Sequence, residues 1–256
     1  KGMKNLEILS KKLFGDISNP LLVSVRSGAP VSMPGMMDTI LNLGINDDTV
    51  QGLAKQSKDS RFAWDTYRRF IQMFGKIVLN VEEKLFDEIS IGAENADEDH
   101  LRKMTLASKM FCENKMGKKF PEDPYKQLEL AIIAVFKSWM GKRATEYRRQ
   151  YKISPEMANG TAVIILEMVF GNMSHDSATG VLFTRNPESG EKKLYGEYLV
   201  NAQGEDVVSG KATPKPINLL SSDLPNVDKE LRIAAESLEK HFREAQDVEF
   251  TVEKGN

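Results

Sequence analysis

The 256 residues include only one cysteine, Cys112, so no intrachain disulfide can form and a cystine-held fold is excluded. Its setting between Phe111 and Glu113 reads as a packed or partly exposed thiol on a helix. An intracellular, reducing compartment is expected, the cytoplasm by default, with an organelle left open. Charge of one sign is also lacking. The 35 basic and 37 acidic residues leave a net charge of −2, which gives no general attraction to nucleic acid or to an anionic membrane, and neither is expected as a partner. Any anion site must therefore be local. No apolar run approaches the roughly 20 residues that span a bilayer, and the opening KGMKNLEILSKKLFGD lacks a secretory core. The sequons at Asn159 and Asn172 thus read as chance occurrences. There is no internal repeat, no Walker A loop and no GxGxxG fingerprint. Lysine in place of an initiator methionine leads us to expect a piece of something longer or a processed product.

A hydrophobic content of 41% is enough for one sizeable core or two smaller ones. Three textures divide the chain: a strand-and-loop opening over 1–46, a helical middle over 47–151, and a β-rich part over 152–256 that closes with a helix and a strand. A helical block enclosed by β-rich sequence reads as a subdomain inserted into a larger α+β unit. In that block Phe62, Tyr67, Phe70, Ile71, Phe74, Ile77 and Val78 recur at spacings of three and four, as do Leu128, Ile132, Val135, Phe136 and Trp139. These are amphipathic helices, and their aromatic stripes are assigned to core. Lys142, Arg143, Arg148 and Arg149 read as a solvated helix end. Of the adjacent Arg68 and Arg69, one must leave the solvent direction chosen by the other.

The most informative stretch runs from Leu21 to Leu43, LLVSVRSGAPVSMPGMMDTILNL. Its apolar opening has strand length, and the small residues from Ser27 onward predict that the strand ends at Arg26. An arginine there offers a planar, permanently charged fork to a phosphate, and the glycines let backbone N–H groups approach the same anion. Asp38 and Thr39 follow within reach of a metal or phosphate oxygen. The residues alone leave a second reading open, a Gly/Pro-rich surface turn with a salt-bridged arginine.

In the second half, TAVIILEMVFG reads as a strand buried on both faces, interrupted by Glu167. It could present backbone groups to a flat heteroaromatic ring with Met168 as a deformable wall, or it could be a strand end facing water. NPESGE supplies the residue types of a tight hairpin, while Arg185 bears on substrate or braces that turn. A helix is predicted over Asn226–Glu244, covering the sheet. In AQDVEFTVEKGN, alternation puts Asp247, Glu249 and Thr251 on one face and Val248, Phe250 and Val252 on the other. Paired carboxylates of this kind suit Mg²⁺, although any half-exposed strand alternates in the same way.

VRSGAPVSMPGMMDTILNLG, EMVFGN, SATGVLFTRNPESGEKKLYGEYLVNAQGEDVVSG and DVEF together resemble the ATP-binding domain of the pyruvate phosphate dikinase family, from about Pro20 to the end of the chain. The resemblance implies an ATP-grasp-like nucleotide-binding domain with an inserted helical subdomain. It implies that Arg26 is the phosphate-contacting arginine and that Gly35, Met36, Met37, Asp38 and Thr39 form a mobile loop over the ATP phosphates. In the same way Arg69, in YRRF, becomes a phosphate contact, and Glu167, Met168 and Val169 become the adenine hinge. Glu197 and Glu205 lie near the nucleotide, and Gln203 and Gly204 form a close-approach loop. Glu249 becomes the first Mg²⁺ ligand and Asp247 its metal or nucleotide partner.

The family interconverts ATP, phosphate and pyruvate with AMP, pyrophosphate and phosphoenolpyruvate through a phosphohistidine on a separate domain, and its members are often homodimers. The carrier histidine is not expected among His100, His175 and His241, because none has the family's glycine-rich, threonine-serine-histidine setting. A glycine-rich N-terminal region with its lysine and an LQTR-like strand are also missing, so the chain alone is expected to bind ATP weakly without turnover. A phosphoenolpyruvate synthase or glucan dikinase domain is the nearest alternative, disfavoured by PVSMPGMMDT. A noncatalytic partner-binding module is the other.

Overall fold

The computed structural model describes residues 1–204 and 213–256. They form two compact units, Lys1–Met168 and Val169–Asn256.

The first unit contains α1 (Gly2–Ser10), β1 (Leu13–Phe14), β2 (Pro20–Leu21), β3 (Val23–Gly28) and β4 (Ile40–Leu43). Six helices follow: α2 (Thr49–Ser57), α3 (Ser60–Ile77), α4 (Glu83–Ile89), α5 (Glu98–Met116), α6 (Pro124–Ser138) and α7 (Lys142–Gln150). The unit closes with β5 (Ala162–Glu167). Three of the helices start at an aspartate whose carboxylate accepts an otherwise orphaned backbone N–H: Asp59 from Phe62, Asp97 from His100 and Asp123 from Tyr125. The predicted stripe of α3 is the core of the block. Tyr67, Phe70, Ile71 and Phe74 are fully buried, and α3 packs against α2, α5 and β4. Buried Gln127 ties α6 to this core by accepting from the Gly44 N–H and donating to the Ile45 and Pro121 carbonyls.

The sheet of this unit has the order β4-β3-β5 and is antiparallel throughout. Its register explains two differences from the sequence reading. First, β3 does not stop at Arg26; Ser27 and Gly28 continue it because Val163 and Ala162 pair with them. Second, β5 is not buried on both faces. It is an edge strand among the described residues, and Ile164 and Leu166 remain 45% and 46% exposed. The pairing of β5 with β3 along its whole length also carries the unit on to Met168, past the texture changes near 46 and 151.

The second unit is a four-stranded antiparallel sheet, ordered β8-β7-β6-β9, with β6 (Ala178–Phe183), β7 (Tyr195–Val200), β8 (Lys215–Pro216) and β9 (Asp247–Val252). Two helices lie between β8 and β9: α8 (Leu220–Asp223) and α9 (Pro225–Phe242). Ala178, Leu182, Tyr198 and Val252 form one core cluster with Leu220, Val227 and Ala235. The helix therefore covers one sheet face, as the periodicity predicts. The turn after β6 is built by Asn186, whose Oδ1 accepts from the Glu188 and Ser189 N–H groups, and by Gly190 at φ 73°. Arg185 braces this end of the sheet through Glu239 of α9, at 2.6 Å.

Candidate functional site

On β3, Arg26 lies opposite Ile164 of β5, and Ser24 lies opposite Leu166. Because cross-strand partners share a sheet face, Arg26 stands beside the exposed apolar side chains of the edge strand. It is itself exposed, and among the described residues its guanidinium makes no hydrogen bond or ion pair. Among the described residues, Arg26 is thus not the salt-bridged arginine of the second reading. A permanently charged fork without an anion is available to one.

The segment from Ala29 to Thr39 connects β3 to β4 and is not free in space. Gly35 adopts φ 70°, where a side chain would be strained, and the Met36 N–H donates to the Met33 carbonyl in a turn. Met36 and Met37 pack on a cluster of Met33, Trp139 and Ala158. Asp38, expected to face a metal or phosphate, is engaged by Arg143 at 2.6 Å, while its N–H donates to Ser138 Oγ at 3.1 Å. Thr39 is half-buried next to β4.

Arg68 and Arg69 resolve as a pair that shares one carboxylate. Asp65 receives Arg68 Nη2 at 2.6 Å on Oδ1 and Arg69 Nε at 2.8 Å on Oδ2. Burial pushes the Asp65 carboxyl up, but the charges and hydrogen bonds of the two arginines outweigh it and hold it below the ordinary carboxylate value. Arg68 is buried against Gln72 and Ser90, whereas Arg69 is the half-buried member. On β5, the Glu167 carboxylate is bound by Lys12 at 2.9 Å, and the Met168 N–H is already spent on the Leu22 carbonyl. Met168 is half-buried and ends the first unit; Val169 opens the second and is exposed.

In the second unit the register gathers three of the proposed carboxylates. Glu197 of β7 and Glu249 of β9 both pair with Val181 of β6, and Asp247 pairs with Phe183 on the same face. All three carboxylates are exposed and have no ion-pair or hydrogen-bond partner among the described residues. They lie on the face opposite the Leu182, Tyr198 and Val252 core. Hard, uncommitted oxygen donors of this kind fit Mg²⁺. No group of three or more His, Cys, Asp or Glu side chains converges closely enough to hold a metal by itself, among the described residues. Gln203 is buried and donates to Asn172 Oδ1 at 3.2 Å, and Gly204 is exposed. Glu205 lies outside the described residues.

Sequence reasoning missed the α6–α7 corner. Arg143 and Arg148, read as a solvated helix end, instead grip the loop and Trp139; Arg148 stacks 4.0 Å over the indole and donates to the Trp139 carbonyl. No local pattern marks such partners, because Arg143 and Asp38 are 105 residues apart.

The mixture of helix and sheet is consistent with an α+β nucleotide-binding domain. Residues 3–232 match the family described as pyruvate phosphate dikinase, AMP/ATP-binding domain, and the chain belongs to that family. It is 52% identical over 265 residues to a pyruvate, phosphate dikinase of Entamoeba histolytica, covering 99% of this chain and 30% of that protein. It is 51% identical over 261 residues to one from Clostridium symbiosum, covering 98% of this chain and 30% of that protein. With a chloroplastic one from Flaveria trinervia it shares 49% over 264 residues, covering 98% and 27%. The chain thus spans about 30% of the length of the curated relatives it matches. No helix among the described residues is long and apolar enough to cross a membrane.

Proposed function

We propose that this chain is the nucleotide-handling part of an enzyme that converts ATP, pyruvate and phosphate into AMP, phosphoenolpyruvate and pyrophosphate. The observation that carries the reading is the free Arg26 guanidinium next to a glycine-containing loop, in a chain that belongs to the dikinase ATP-binding family. The domain is of the ATP-grasp kind, with 47–151 as its inserted helical part between 1–46 and 152–256. Arg26, the loop Gly35–Thr39 and Arg69 serve the phosphates. Glu167, Met168 and Val169 serve the adenine through the hinge backbone, with the Met168 carbonyl unengaged among the described residues although its N–H is committed. Glu197, Gln203, Gly204 and Glu205 complete the nucleotide contacts.

Asp247 and Glu249 would hold Mg²⁺, which when bound neutralises phosphate charge. The chain's own work is positioning: Arg26 and the loop N–H groups orient the polyphosphate and stabilise charge that develops on its oxygens during transfer. The phosphoryl group passes to a histidine on another domain of the same parent, an intracellular enzyme that works as a homodimer. The 256-residue chain alone binds nucleotide without turnover, and appreciable AMP release from it would overturn that statement.

The test is AMP formation from ATP by the full-length parent, with pyruvate present and inorganic phosphate supplied or withheld. Strict phosphate dependence with pyrophosphate as co-product establishes the dikinase. Activity without phosphate means water is the second acceptor, as in a phosphoenolpyruvate synthase. In parallel, Arg26→Ala should weaken Mg-ATP binding about tenfold to a hundredfold, the worth of a charge-assisted hydrogen bond. Unchanged affinity would instead favour a noncatalytic module.

A further inference from the structure

The loop between β3 and β4 has no regular secondary structure, yet it is held at both ends of its contact with the helical block. Met33 is buried, and Val31, Met36 and Met37 pack around it on Trp139. Trp139 follows α6 and is itself fixed by Arg148. The polar half of the contact has two anchors. Ser138 Oγ accepts the Asp38 N–H while donating to the Val135 carbonyl at 2.7 Å, so its hydroxyl is oriented by its own helix. The Arg143 guanidinium divides its fork, with Nη1 on the Gly35 carbonyl at 3.2 Å and Nη2 on the Asp38 carboxylate at 2.6 Å.

We infer that Arg143 is a positioning residue for nucleotide binding, one that clamps the Gly35–Asp38 segment onto the α6–α7 corner before ligand arrives. This rests on the reading of that segment as part of the phosphate site. The physical reason is entropy. A glycine- and proline-containing loop of this length samples many backbone states, and ordering it only on binding would cost affinity. One guanidinium bonded to two points three residues apart removes much of that freedom beforehand. The clamp also occupies Asp38, so that carboxylate acts on the loop and not on the metal. Arg143 keeps 64% of its side chain exposed, so its loss leaves no cavity in the core.

Trp139 gives a direct readout, because the chain has only two tryptophans and Trp64→Phe leaves Trp139 alone. In that background, acrylamide quenching of the nucleotide-free chain and calorimetric titration with Mg-ATP are measured for Arg143→Ala, Arg143→Lys, Asp38→Ala and the Ala/Ala pair. Arg143→Ala should raise the quenching constant about twofold and weaken Mg-ATP about fivefold, the upper range for an exposed but doubly bonded ion pair. Arg143→Lys keeps the charge without the fork and should recover part of the affinity. The Ala/Ala pair should be no weaker than the worse single variant, since both act on one contact.

Unchanged quenching in Arg143→Ala, or losses that add fully in the pair, would overturn the clamp. Should the parent chain fail to bind Mg-ATP, the nucleotide reading falls, and the quenching comparison still decides whether Arg143 holds the loop.

Discussion

Glu197 and Glu249 flank Val181 from its two sides, one on β7 and the other on β9, with their side chains on the same face of the sheet. Their backbones are therefore about 10 Å apart, two strand spacings, whereas Asp247 and Glu249 are neighbours along one strand. Long carboxylate side chains can converge over a small valine from that separation. The opposite face of the same strands is core, so the acidic set rests on a rigid platform that its own charges do not help to build.

From this a separation of function and stability is expected at β9. If these carboxylates hold Mg²⁺ as proposed, Asp247→Asn with Glu249→Gln should weaken Mg-ATP about tenfold and leave metal-free ATP binding little changed, because neither carboxylate has another partner among the described residues. Their removal should alter stability by less than about 0.5 kcal/mol. Titrations with and without Mg²⁺, alongside a thermal melt, check both parts. An equal loss in the two titrations would remove the metal role.

The Asp65 cluster should set part of the acid limit of the first unit. Its carboxyl is held below the ordinary carboxylate value in the fold, so its stabilisation is complete above that value and is lost as pH falls through the depressed native one. Asp65→Asn leaves Arg68 buried without a counter-charge, at a cost of about 3 kcal/mol near neutral pH. Denaturant melts from pH 7 down to pH 3 should show the gap between wild type and variant constant at first and narrowing below about pH 4, where the carboxyl of the unfolded chain takes up a proton that the native one still resists.

What could be read from the sequence was whatever depends on local spacing. The stripe of α3, the alternation of β9 and the Asn186–Gly190 turn each follow from side chains a few residues apart, and each formed where expected. Strand ends and strand burial were less legible, because pairing decides them. Gly28 is in a strand only because Ala162 lies beside it, and Ile164 shares its sheet face with the exposed Arg26 and is itself 45% exposed. The loop anchor at Arg143 had no local signal at all. A basic helix end with Glu146 nearby looks solvated whether or not a carboxylate 105 residues away reaches it.

Cys112 should behave as an inert thiol until the fold opens. Burial, with the charge of Glu113 adding to it, pushes its pKa up to about 12 from 9.0. At pH 8 the thiolate fraction is then about a thousandfold smaller than for an ordinary exposed cysteine, and the shielded sulfur is slower still. A disulfide reagent such as DTNB should therefore label the native chain slowly and incompletely, and one equivalent promptly in denaturant. Fast native labelling would mean that the α3–α5 interface opens locally.

The same interface predicts the effect of a single methyl group. A Cβ on Gly75 would lie 2.6 Å from Phe86 Cζ and 2.7 Å from Cys112 Sγ, and both neighbours are buried side chains with no room to retreat. Gly75→Ala should thus cost about 1–3 kcal/mol despite alanine's better helix propensity, because overpacking outweighs the gain of about 1 kcal/mol that propensity offers. It should also speed DTNB labelling of Cys112, since the strain is relieved by parting α3 from α5. Gly160→Ala is the matched control: nothing lies within 4 Å of its Cβ, and its φ is outside the left-handed range. There the reduced freedom of the unfolded chain should stabilise by about 0.5 kcal/mol. If the two substitutions shift the melting temperature equally, close packing at Gly75 is not what limits the helical block.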